Sequence, residues 1–243
     1  MNDVITGFGY ILAGFKLIVK PRIRLFVITP LLVNTLLFAG IIIYGTSQIS
    51  DLIAWLSSLS SWTEWISWLL WPLFMIISLI VVFFCFAILA NLIAAPFNSF
   101  LAAAVEFSLT GEKNSNSGNL TALPAEMLAI LKAEARKLLY FIVRALPLLL
   151  LLVVPVLGPV LGPVIWFLFG AWMMALEYLD FPMGNHGMLF PQIRQTLAAK
   201  RRLTLGFGIG AMLLTMIPVL NFIAMPVAVT GASKLWLDKI RGP

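Results

Sequence analysis

The sequence predicts an all-α integral membrane protein with two long transmembrane helices, two re-entrant (partly penetrating) helical hairpins and an amphipathic N-terminal helix. Three observations predict it: the composition, the uncharged runs and the placement of the basic residues. Hydrophobic residues fill 61% of the 243 positions and charged residues 11%, with a mean hydropathy of +1.03, whereas a soluble domain carries about 25% charged residues. The formal net charge of +6 comes from 16 Lys and Arg. These flank apolar segments and do not form a patch interleaved with stacking aromatics, so they point to membrane orientation and away from nucleic acid. No polar linker divides the chain, and residues 1–243 read as a single membrane domain.

Residues 1–20 form the first element. Val4, Phe8, Ile11, Phe15 and Ile18 recur at helical spacing with Lys16 and Lys20 near the end, the pattern of a helix lying in the membrane interface. No basic region precedes an apolar one, so no cleavable signal is expected. Pro21-Arg22-Ile23-Arg24 is then a short basic turn. Residues 25–44 carry no charge, and at 1.5 Å per residue such a run crosses a hydrocarbon core of about 30 Å. Residues 69–95 form a second span, long enough to tilt. The linker between them holds Trp55, Trp62, Trp65 and Trp68 but neither Lys nor Arg, which sets the linker outside and the basic N-terminal side in the cytoplasm. Residues 98–137 then form a cytoplasmic helical region interrupted by the polar loop Gly111–Asn119. A helix beginning at Pro124, where proline suits the first turn, continues into apolar Leu138–Leu146.

An internal repeat organises the remainder. Pro155-Val156-Leu157 and Pro163-Val164 return as Pro218-Val219-Leu220 and Pro226-Val227, both at an offset of 63. Proline and glycine midway through an apolar stretch mark re-entrant hairpins, here over 138–179 and 203–237, because the freed backbone groups must be satisfied within protein or a wet cavity. Arms of about 15 residues reach about 22 Å, short of a full span. Tips are expected near Val156–Gly162 and Leu220–Ala224. Charge agrees: Arg194, Lys200, Arg201 and Arg202 lie between the blocks and Lys234, Lys239 and Arg241 after them, so two hairpins leave nearly every cation on the cytoplasmic side. Two bent single crossings would put 194–202 outside.

No catalytic constellation is present: there is one histidine, no P-loop, no GxSxG, no HExxH and a single cysteine, Cys85, in an apolar run, which excludes zinc spacing and a disulfide framework. Neither metal nor cofactor is expected. His186 reads as a loop hydrogen-bonding residue. More informative are polar groups within apolar sequence. Arg144 stands alone in Leu138–Leu152, and a turn near residue 159 brings it level with about residue 174, so Glu177 is its expected ion-pair partner across the first hairpin. Arg22 and Arg24 sit at the mouth of a spanning helix, where side chains and backbone N–H groups together suit an oxyanion; positive-inside topology alone is the competing reading. Glu106 reads as an interfacial carboxylate.

The run from Pro21-Arg22-Ile23-Arg24-Leu25-Phe26 through Thr29-Pro30-Leu31-Leu32-Val33-Asn34, then Ala94-Ala95-Pro96-Phe97-Asn98, Tyr178-Leu179-Asp180-Phe181-Pro182-Met183-Gly184-Asn185-His186 and Met216-Ile217-Pro218-Val219-Leu220-Asn221 resembles the bacterial sulfate permease CysZ family, block by block and in order. The resemblance implies a multi-pass inner-membrane protein that admits sulfate for assimilation into cysteine, and a homo-oligomer. It also implies a sulfate-binding element of two adjacent arginines before the first span. Arg24 matches the first of the pair, Leu25 stands at the second, and Arg22 is near enough to supply the missing charge. Asn98 and Glu106 would lie near the conduction core. Two rival functions are a transporter of another small anion and a membrane assembly factor that transports nothing.

Overall fold

The computed structural model describes residues 2–21, 23–29, 97–112, 123–152 and 154–242, with scattered positions between 32 and 80. Among them every regular element is helical. The chain divides into two compact units, one of residues 1–27 with 98–243 and one of residues 28–97. In the second unit the described positions of the expected spans are helical, and Leu32, Leu36, Ile43, Ile76 and Ile80 are exposed. The tryptophan linker 45–68, Cys85 and loop residues 113–119 lie outside the described residues.

The first unit runs α1 (Asn2–Ile18), α2 (98–110), α3 (Leu123–Leu152), α4 (Leu157–Asn185), α5 (Phe190–Ala199), α6 (Arg201–Met216) and α7 (Pro218–Leu235), closed by a π-helical turn at Trp236–Ile240. Helix α1, expected in the interface, is packed on one face against α6 and α7. Gly7, Tyr10, Ile11, Gly14 and Leu17 are buried there, while Ile5, Leu12 and Val19 are exposed. Small residues permit that approach. A Cβ at Gly7 would overlap the Leu203 carbonyl, one at Gly206 the Val4 carbonyl, and one at Gly14 the Val227 carbonyl. Backbones thus meet directly, as in helix pairs that associate within lipid.

Helix α3 packs against α4 and α6 against α7, each pair joined at a proline block, so the repeat is structural. Pro155 lies in the turn before α4 and Pro218 opens α7, while Pro163 and Pro226 both sit inside helices. The turns come earlier than the sequence predicts, at 154–156 and at Ile217, and residues 157–162 and 220–224 are already helical. At the second block proline explains this, because the first N–H groups of a helix have no intrahelical acceptor and Pro218, which lacks an N–H, is tolerated there. At the first turn Val156 has φ 68°, a conformation β-branched residues rarely adopt. Helix α4 continues through Asp180 and Pro182 to 29 residues, and it and Pro218–Ile240, of 23 residues, are long and apolar enough to cross a membrane. The second arms therefore exceed the expected length of about 15 residues. A lone carboxylate does not end a helix whose carbonyls still find donors.

Candidate functional site

Helix α2 carries a buried amide and a buried carboxylate. Asn98, Leu101, Ala102, Val105 and Glu106 are buried, and their spacing of three and four puts them on one face. Asn98 Nδ2 lies 3.3 Å from Met225 Sδ on α7. Two turns on, Glu106 Oε2 is 2.9 Å from His186 Nε2, with the carboxylate side chain 5% exposed. A carboxylate that deep is tolerated only with such a partner. His186 is placed by the end of α4, where Gly187 at φ 73° reverses the chain, and Asn185 Nδ2 donates to the Ser99 carbonyl at 2.8 Å. The imidazole also lies 5.6 Å from the Trp236 ring, whose buried Nε1 has no hydrogen-bond partner among the described residues. The histidine that the sequence assigns to loop hydrogen bonding and the carboxylate that it leaves interfacial are therefore one buried pair.

Helix α2 runs alongside α7 and its π turn in the same direction, from Asn98 at Met225 to a cleft of about 520 Å³ lined by Leu109, Thr110, Glu112, Asp238 and Arg241. Arg241 Nη2 is 3.8 Å from Glu112 Oε2. Asp238 ties this end to α1: its Oδ2 accepts from Tyr10 Oη at 3.1 Å and pairs with Lys234 Nζ at 2.9 Å. Burial, then the Asp238 charge, push the Tyr10 phenol up to about 12.

The basic turn has a definite shape. The N–H groups of Ile23 and Arg24 both donate to the Lys20 carbonyl, at 2.9 and 3.0 Å, and Lys20 N–H donates to Leu17. Ile23 is fully buried and pins the turn, while Arg24 is exposed. Two amides expected to serve an anion are thus spent on the turn itself, because helix initiation claims them. What the turn presents is the Arg24 side chain. Arg22 lies outside the described residues.

At the first hairpin's base the structure gives Glu177 a different cation. Lys137 Nζ is 2.6 Å from Asp180 and 3.7 Å from Glu177, while the Arg144 guanidinium lies over the Tyr140 ring, 5.0 Å from its centroid. The signal was in the count: a mirror about residue 159 that sets Arg144 near 174 also sets Lys137 near 181, one residue from Asp180. Lys137 stands among the hydrophilic residues of the first half of α3, outside the apolar run in which a lone charge is conspicuous.

Among the described residues the structure is all-helical, with two helices long and apolar enough to cross a bilayer and exposed apolar side chains at the turns, as suits a helical membrane protein. Residues 10–226 match the family described as Sulfate transporter CysZ/Etoposide-induced protein 2.4. The chain belongs to that family. It is 43% identical over 241 residues to the Sulfate transporter CysZ of Vibrio parahaemolyticus, covering 99% of this chain and 97% of that one. It is also 43% identical over 237 residues to the protein of the same name from Pectobacterium atrosepticum, covering 97% and 86%, and 42% identical to that of Vibrio atlanticus, covering 97% and 94%.

Proposed function

We propose that this protein moves sulfate across the bacterial inner membrane into the cytoplasm, supplying assimilation and cysteine biosynthesis, as a multi-pass homo-oligomer. The observation that carries the reading is Arg24, an exposed guanidinium on a turn pinned by buried Ile23, in a chain 43% identical to curated sulfate transporters. Guanidinium forks match tetrahedral oxyanions, and an exposed one binds without holding the ion too tightly to release. Arg22 is the second cation of this reading. Asn98 and Glu106 are its core polar residues, and Arg144 and Glu177 its polar residues at the first hairpin.

Re-entrant hairpins follow from the same reading. From Lys137 at the base to the turn, α3 contributes about 15 residues, or about 22 Å, and α6, of 16 residues, contributes about 24 Å. Lys200 Nζ donates to the Lys239 carbonyl at the base of the second hairpin, and Val156, Val160, Val219 and Phe222 are exposed at the tips. Charged bases with short arms and apolar tips suit entry and exit on one side.

Sulfate uptake into proteoliposomes, with phosphate and chloride as competitors, tests the cargo. Arg24→Ala should weaken sulfate binding about ten- to a hundredfold, the loss of charge-assisted hydrogen bonds of roughly 1.5–3 kcal/mol. Unchanged affinity in correctly inserted protein would leave Arg24 as an orientation charge. Labelling of single cysteines at 194–202 from the periplasm, in a Cys85→Ala background, would replace the hairpins with crossings.

A further inference from the structure

At the base of the first hairpin two guanidinium groups from different helices meet on one ring. The Arg144 guanidinium of α3 lies 5.0 Å from the Tyr140 centroid, and that of Arg194, on α5, lies 5.4 Å from the same centroid. The ring is held in place. Trp172 Nε1 of α4 donates to Tyr140 Oη at 3.2 Å, and Phe190 packs edge-on with centroids 5.6 Å apart. Arg144 reaches back over its own i−4 neighbour, the direction in which helical side chains lean, and so carries its charge out of the apolar run toward the level of Lys137.

Among the described residues no acid neutralises either guanidinium. Both acids at this end of the hairpin, Glu177 and Asp180, are engaged by Lys137, and among the described residues neither Arg144 nor Arg194 has a carboxylate within ion-pair distance. Two like charges converging on one ring repel each other, and an anion shared between them converts that repulsion into attraction. The surroundings narrow the kind of anion. Phe141, three residues before Arg144 and so beside it on α3, is exposed and stacked on Phe169 of α4 at 5.5 Å. A free inorganic ion gains nothing from such a flank, whereas an amphiphile does.

We propose that Arg144 and Arg194 together clasp the phosphate of an anionic phospholipid, with Tyr140 setting their separation and the acyl chains lying along the exposed apolar face of α3. Arginine suits this task because its planar fork binds phosphate oxygens two at a time. The bound lipid fastens α5, the link between the hairpins, to the base of the first one. The inference rests on the membrane placement of that hairpin and not on sulfate being the cargo.

Native mass spectrometry of the full-length protein in detergent, titrated with phosphatidylglycerol or phosphatidylcholine, tests it. Phosphatidylglycerol should bind preferentially. Arg144→Gln and Arg194→Gln should each lower its affinity roughly ten- to a hundredfold and leave phosphatidylcholine binding unchanged, and Arg144→Lys should fall between. Millimolar sulfate should not displace the lipid. Undiminished phosphatidylglycerol binding by both glutamine variants overturns the proposal, as does displacement by sulfate, which would mark a general oxyanion site. Should a variant fail to fold, the unmodified protein still decides, because the absence of a phosphatidylglycerol preference refutes the site. Sulfate uptake read in liposomes containing phosphatidylglycerol separates the two readings: intact lipid binding without uptake removes the cargo and leaves the lipid site standing.

Discussion

The two hairpins share a proline block yet live in different surroundings. Over the most apolar stretch of the second, 56% of residues are buried within the protein, against 22% in the first. The difference traces to glycine. Gly206 and Gly208 on α6 and Gly231 on α7 bring these helices against α1 and α4 with backbone close to backbone, and Gly210 makes room for the Phe8 and Ile11 side chains, so the second hairpin forms the core of its unit. In the first, glycine contacts at Gly158 and Gly162 are made to Leu151 and Leu152 across its own turn. Large side chains such as Val160, Val164 and Leu168 then face outward. One repeat is thus a packing element, while the other leaves its turn and much of its apolar surface exposed and carries ion pairs at its base.

Substitutions can break that contrast at its strongest point first. Gly206→Leu should destabilise the protein by more than about 3 kcal/mol, since the new side chain meets the Val4 backbone, which has no way to yield. Loss of monodisperse protein and a large fall in Tm would show it. A similar Tm for Gly206→Leu and for Val160→Leu, on the outer face of the first hairpin, would dissolve the distinction between core and surface.

Next in size is the first hairpin's base. Lys137→Met leaves Asp180, 24% exposed at its side chain, without its close cation, and should cost about 2 kcal/mol, below the 3–5 kcal/mol of a fully buried pair. Adding Asp180→Leu should recover part of the loss in thermal unfolding. Strict additivity of the two would mean that the bridge does not hold the base.

Between the hairpins stands the Glu106–His186 pair. His186→Ala should destabilise by roughly 1–3 kcal/mol, and Glu106→Gln in that background should restore some of it, because a neutral amide is easier to bury than a carboxylate. A double variant worse than the single would show that other groups hold Glu106. The smallest effect is a gain: Val156→Gly removes a β-branched residue from φ 68° and should raise stability by about 1 kcal/mol. No gain would indicate that lipid or packing around the exposed valine offsets the backbone strain.

Much of this was legible in the sequence, because apolar length, proline placement and the distribution of cations are properties of the chain that a bilayer reads directly. The helices, the paired proline blocks at an offset of 63 and the basic flanks needed no tertiary contact to be seen. Buried pairing was another matter. Glu106 and His186 lie 80 residues apart, Lys137 was one of several cations that could reach an acid on α4, and Arg194 meets Arg144 only because α5 folds back onto Tyr140. Sequence spacing fixes which residues share a helix face, whereas which faces meet depends on how closely backbones approach. That approach was decided by glycines whose role a one-dimensional pattern does not reveal, since a missing side chain leaves no periodic signal of its own.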